Sequence, residues 1–316
     1  MVESFWFLLS ALVMGAHLLC VNVAAVGPLF CIAFEMRAGR SPQGGADIVG
    51  KWLAYLCCKL LIIGILLGMV LVGIKWPRGG AAFFSALERV PSNRLWWGAA
   101  ELAFYLACVL TYAAFWQLLC VGRRRWLHRA LALAAATNLM YHFPPLFAVI
   151  HRLAAGDGKT VAIDKAEFLR LTMQPEIVAV VVHHLIAGFA ITGLVIMLRS
   201  RRLLDELGGG MEDRQVELTG CIRRAARTAL VASLLQIPVG VWVLFAIPPQ
   251  AREQVLGGSD LYATALFVFS MLAAMAALYA LALVAVGESD RKTVRASAIR
   301  LMFVVFAMTA LAQKIL

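Results

Sequence analysis

The sequence predicts an all-α membrane protein whose chain crosses the bilayer about eight times. Three observations carry this. Hydrophobic residues make up 62% of the 316 residues and charged ones 15%, with a mean hydropathy of +0.83, too few polar side chains to coat a soluble domain. Apolar runs long enough to cross ~30 Å of hydrocarbon recur along the whole chain. The segments between them are too short to fold alone, and a chain inside lipid must satisfy its own backbone, so the runs are helices.

The expected spans are about 5–35, 51–74, 95–120, 127–151, 176–198, 222–247, 261–286 and 297–315. The first is too long for a signal peptide and its Glu3 start lacks a basic n-region, so it is expected to be a retained helix. Residues 75–94 form a loop through Trp76-Pro77-Arg78-Gly79-Gly80 and Pro91-Ser92-Asn93, after which Trp96-Trp97 anchor the third span at the interface. Residues 153–175 form an outer loop in which Asp164 caps a short surface helix over Lys165–Leu171. Two four-helix bundles follow, over 1–152 and 176–316. A faint internal repeat agrees: His17-Leu18-Leu19-Cys20 early in one and His184-Leu185-Ile186-Ala187 early in the other.

The net charge of +11 has a cause other than nucleic acid. Eighteen of the 29 Lys and Arg flank the first, third, fifth and seventh loops between spans, Arg123-Arg124-Arg125 and Arg199, Arg201, Arg202 among them, against ten on the other side. The positive-inside rule then puts those loops in the cytoplasm and both termini outside. The seven cysteines lie mostly in or beside apolar runs and none forms C-x-x-C-H, so covalent c-type haem attachment is excluded and they read as small packing residues.

Ionisable residues inside hydrocarbon are functional candidates by default. Counting ~1.5 Å per residue from the outer helix ends, His17 lies roughly 18 Å deep, His142 roughly 14 Å, His183 and His184 roughly 10–12 Å, Met271 roughly 15 Å and Glu101 roughly 9 Å. Histidine and methionine are the usual axial partners of electron-transfer haem, and a helix bundle holds such a group between facing side chains. His183 and His184 point ~100° apart around one helix, so one ligates and the other bonds nearby. The similar depths of His17 and His142 make them candidates to face one another across a second haem. The competing reading has His142 bonding a carbonyl freed by Pro144-Pro145. His128 and His151 sit at span ends beside arginines and read as interface residues.

These residues, in this order, resemble subunit I of the cytochrome bd-type quinol oxidases, in a divergent and shortened form. Gly15-Ala16-His17 through Phe34-Glu35-Met36, Lys59-Leu60 with Gly68, Ala100-Glu101, Leu127-His128 with Thr137-Asn138-Leu139, and the histidines before Ala187-Gly188 and Thr192-Gly193 carry the resemblance. It implies that His17 serves a high-spin haem and that His183 or His184 ligates a low-spin haem b. The methionine partner is then Met271 or Met275; Phe267-Val268-Phe269-Ser270-Met271 is similar to the family's motif, and Met302 lies at the wrong depth. Glu101 is placed like the conserved acid of the family's third helix, which makes it the candidate catalytic residue.

The departures matter as much. The family's second acid falls at Val109, the outer loop between the sixth and seventh spans shrinks to Pro248–Gln254, and the C-terminal glutamate ligand and its neighbouring Gly-Arg-x-Pro-Trp motif are missing. The expected function is a b-type haem subunit passing electrons between the quinone pool and a partner cytochrome, multihaem or c-type, within a larger complex of a bacterial inner membrane. An oxygen-reducing quinol oxidase subunit and a non-redox scaffold or transporter are the alternatives. Nucleic acid is not an expected partner.

Overall fold

A computed structural model describes the chain except residues 1, 39–42, 78–79, 120–122, 157–160, 208–210, 259 and 316, and the side chains of 2 and 3. Among the described residues every regular element is helical: α1 Val2–Ala38, α2 Gly45–Lys75, α3 Ala81–Arg89, α4 Ser92–Ala114, α5 Trp116–Leu119, α6 Arg125–Ala154, α7 Lys165–Thr172, α8 Pro175–Glu206, α9 Glu212–Ala246, α10 Pro249–Val255, α11 Leu261–Val286 and α12 Arg291–Ile315. Eight of these, all but α3, α5, α7 and α10, are long and apolar enough to cross a membrane. The chain is an all-α polytopic membrane protein.

Several helices extend past their apolar runs because polar sequence can continue a helix into water. At the end of α8, Arg201 pairs with Asp205 and Arg202 with Glu206, both one turn apart. Such i,i+4 pairs support a solvated helix end. Helix α9 starts ten residues before its apolar stretch, with Glu212 and Asp213 in the first turn, where the helix dipole favours negative charge. Asp164 caps α7 as expected, its carboxylate accepting from the Glu167 N–H at 2.7 Å, but α7 is not a loose surface helix: Phe168 and Leu171 are buried against α6 and α3. The loop 75–94 contains α3, whose Ala86 joins the same cluster.

One boundary differs for a tertiary reason. The third span was expected to run to 120, yet α4 stops at Ala114 and Phe115 breaks the helix with φ −95° and ψ 14°. No Gly or Pro marks the site. The break directs Trp116 into the interior, fully buried, where its indole N–H donates to Asp47 Oδ1 at 2.6 Å. Gly50 on α2 lies under that ring: a Cβ there would sit 2.5 Å from Trp116 Cη2 and 2.7 Å from Phe34 Cβ. Neither neighbour can retreat from a filled core, so Gly50→Ala is expected to destabilise the protein by about 1–3 kcal/mol, read as a lowered unfolding midpoint in detergent. A midpoint equal to wild type would show that the α1–α2–α5 junction is loosely packed.

Helix α1 is the hub. It packs along α2 and also meets α6, α8 and α12, while α8 pairs with α9 and α11 with α12. One apolar cluster runs from Val23, Leu53 and Tyr105 through Ile196 and Ala226 to Leu281 and Val284, so the two halves share a continuous interior. At the opposite end, Lys314 bridges to Asp260 at 2.9 Å, tying the end of α12 to the start of α11.

Candidate functional site

Histidines of the first and fifth spans come within electrostatic range of each other. His17 on α1 faces α2: its Nδ1 is 2.8 Å from the Gly64 carbonyl oxygen, and a Cβ on Gly68 would come within 3.3 Å of its ring. Because a carbonyl can only accept, Nδ1 carries the proton and Nε2 is left with a free lone pair. That is the tautomer a metal-ligating imidazole takes, with its other nitrogen fixed by a carbonyl. His184 on α8 is within electrostatic range of both His17 and His183.

His183 points toward α9. A Cβ on Gly240 would lie 3.8 Å from its Cε1, and Gln236 on the same helix donates to the His183 carbonyl at 2.9 Å. Its Nδ1 is buried with no hydrogen-bond partner among the described residues. An orphaned imidazole nitrogen in an apolar interior is costly unless something binds it. His17 thus faces Gly68 on α2 and His183 faces Gly240 on α9, two glycines that keep the facing helix surfaces low, with His184 between them in electrostatic range of both.

His142 goes elsewhere. Its Nδ1 is 3.0 Å from Glu101 Oε2, close enough for charge pairing though without the alignment of a hydrogen bond, and its ring lies over Gly98 of α4. Asn138, one turn earlier on α6, donates to the Glu101 carbonyl at 2.8 Å and fixes the two helices in register. His17 therefore faces α2 and His142 faces α4. The backbone that His142 hydrogen-bonds is that of Arg94 on α4, not one near Pro144-Pro145, and the Glu101 carboxylate lies beside it. Arg94 of α4, stacked 4.8 Å from the Phe168 ring, lines a small cavity with His142, Tyr141 and Leu169.

Met271 and Met275 lie on α11, which packs against α9 and α12. Their side chains are outward, 39% and 61% exposed. The structure does not bring them to the imidazoles in the way the sequence order suggested.

The most elaborate polar cluster was not expected. His128, read from sequence as an interface residue, is completely buried, and so is Glu35 of α1. The His128 Nδ1 lies 3.0 Å from Glu35 Oε2 and its Nε2 lies 2.8 Å from the Tyr112 carbonyl oxygen. Tyr112 donates its hydroxyl to the same carboxylate oxygen at 3.2 Å and stacks flat on His128 with ring centroids 3.8 Å apart. Arg129 Nε donates to Glu35 Oε1 at 3.1 Å. A buried carboxylate surrounded by this many donors is satisfied and does not need a ligand. The only sequence signal was Glu35 closing an apolar run; its partners come from α4 and α6 and share no spacing with it. His151 stayed as expected, exposed at the end of α6 near Phe83.

Among the described residues no three His, Cys, Asp or Glu converge as a metal-ion site. Haem iron takes only one or two protein ligands, which is what the imidazoles of α1 and α8 offer.

The fold defines a class: a polytopic helical membrane protein with eight candidate spans among the described residues. No protein-family model and no curated protein sequence matches this chain. By structure it is similar to a chain of the bd oxidase from Geobacillus thermodenitrificans, with a TM-score of 0.76 over 96% of this chain and 85% of that one, at 12% identity. That likeness establishes the bd-oxidase fold in this protein, as the order of sequence motifs had indicated.

Proposed function

We propose that this protein is a b-type haem-binding subunit of a respiratory membrane complex, passing electrons between the quinone pool and a partner cytochrome in a bacterial inner membrane. The observations that carry the reading are His17 of α1 and His184 of α8 within electrostatic range of each other, and the adjacent His183 facing Gly240 of α9. His17 has the ligating tautomer, His183 has an unpartnered buried nitrogen, and Gly68 and Gly240 leave the flanking helix surfaces flat. These features fit haem b. One of His183 or His184 would hold the iron of one such group and His17 that of a second, and each bound group supplies a one-electron couple.

The chain's own residues do the rest. Gly64 fixes the His17 ring through Nδ1, which leaves Nε2 as the coordinating atom. Gln236 pins the α8 backbone at His183. The apolar interior excludes water around both. Met271 and Met275 enter this proposal only as ligands that a rotation of α11 would have to present, so the imidazoles are the primary ligands. Glu101, paired with His142 near the outer face, is the acid available to accept a proton when quinol is oxidised there.

A pyridine haemochrome assay on the purified full chain tests the reading. One or more protohaem per chain is expected, and a Gly240→Leu variant, whose side chain fills the space facing His183, should carry clearly less protohaem per chain than wild type. A chain purified from haem-sufficient cells with no protohaem would overturn the proposal.

A further inference from the structure

At the end of the molecule that carries the basic loops, an open groove of about 490 Å³ lies between the start of α2, α5 and the start of α9. Lys51, Trp52, Tyr55, Gln117 and Arg214 line it together with Asp47. Asp47, the acidic member, accepts the buried Trp116 indole N–H and so faces the interior with one oxygen. Lys51 has no ion-pair or hydrogen-bond partner among the described residues. Arg214 reaches the Gln43 carbonyl at 3.2 Å, and Gln43 holds a left-handed backbone (φ 63°), a conformation that L side chains rarely adopt. Arg199 places its guanidinium 5.4 Å from the Trp52 ring, and its Nε is buried without a partner.

Below the groove α2 continues with an exposed face. Lys51, Tyr55 and Lys59 are four residues apart and share one helix face. Lys59 is exposed and, among the described residues, unpaired. Below it Ile62, Ile63, Leu66, Met69 and Val70 extend an exposed apolar strip. Counting about 20 residues of hydrocarbon back from Trp76 at the far end of α2 brings the boundary to about Tyr55. Lys51 and Arg214 then stand at headgroup level, and Lys59 lies within snorkelling reach of it. Cations at phosphate level, an aromatic at the boundary and an apolar strip beneath match the cross-section of one lipid.

We propose that this groove binds an anionic phospholipid, its phosphate held by Lys51, Lys59 and Arg214 and its acyl chains lying on the α2 strip. Free phosphate would use the cations but leave the strip unexplained. The charge complementarity favours an anionic headgroup over a zwitterionic one.

The test uses the full chain in nanodiscs of phosphatidylcholine containing a minor fraction of phosphatidylglycerol, released for native mass spectrometry. Phosphatidylglycerol is expected to be retained in preference to phosphatidylcholine. A Lys51→Gln/Lys59→Gln double variant should lower that preference roughly thirtyfold and Arg214→Gln about fivefold, while Lys314→Gln at the other end leaves it unchanged. If the double variant fails to fold, the Arg214→Gln arm reads the same contact from outside the membrane. Equal retention of both lipids, displacement by inorganic phosphate, or variants that retain phosphatidylglycerol like wild type would overturn the proposal. So would a photo-crosslinker at Tyr55 that captures a protein in native membranes instead of lipid.

Discussion

Replacing both His183 and His184 with Ala is expected to abolish the low-spin b-type band in the reduced-minus-oxidised spectrum, the largest functional effect of any change proposed in this protein. The two residues are adjacent on α8, so a single substitution can be masked by the neighbour taking over after a ~100° turn of the helix. The single variants separate them. His183 has the orphaned nitrogen, and His184 has His17 and His183 within electrostatic range. The ligating residue is the one whose single loss removes the band; the other shifts it by a few nanometres at most. His17→Ala should remove a separate component, because His17 stands on α1 with its own carbonyl partner. The result that would sink the assignment is a double variant, folded by circular dichroism, that retains every haem band.

The second large effect concerns stability. Glu35→Ala is expected to destabilise the protein by about 3–5 kcal/mol, the usual cost of removing one member of a buried charge pair. Without the carboxylate, Arg129 loses its acceptor, Tyr112 loses the partner of its hydroxyl, and His128 Nδ1 is left in a sealed interior. The packing void adds to this. Glu35→Gln keeps the shape and one acceptor oxygen, so it should cost clearly less than Ala. Thermal unfolding in detergent checks the ranking. An Ala variant that melts with wild type would show that the cluster opens to water and is not the clamp joining α1 to α4 and α6. The haem readout is a useful companion measurement, since Glu35 and His17 lie on one helix and a loosened α1 would disturb both.

How much of this was legible in the sequence divides along a physical line. Spans were legible because lipid imposes a length and an apolar composition on any crossing helix, and both are properties of a local stretch. Eight such stretches were expected and eight are found among the described residues. The Asp164 cap was legible for the same reason: a cap is made within four residues. The histidine pair on α8 announced itself because a titratable side chain in hydrocarbon is anomalous wherever it points.

Direction was not legible. His17 and Glu35 are 18 residues apart, five turns of an ideal helix, so periodicity alone puts them on one face. The structure gives them different neighbours, α2 for His17 and α4 with α6 for Glu35, in a helix that contains Pro28 between them. His128 looked like an interface residue because it lies beside Arg129, yet the packing of α6 on α1 seals the imidazole and leaves the arginine partly exposed. The end of α4 at Ala114 was likewise set by Trp116 reaching Asp47 on another helix, a contact that no local residue encodes.

The sequence by itself therefore determined that this is a helical membrane protein, where its chain crosses the bilayer, and which residues are out of place there. Its bd-oxidase-like order of motifs was legible too, since motif order along a chain is one-dimensional information. Only the tertiary structure decided which of those residues share a site. It placed His17 within electrostatic range of His184, turned His183 toward α9, gave His142 to Glu101, left Met271 and Met275 on the outside, and built a buried clamp around Glu35. The physical reason is that a side chain's partners depend on helix rotation and crossing. Those are fixed by packing the apolar faces of eight helices together, a property of the whole chain and of no single segment.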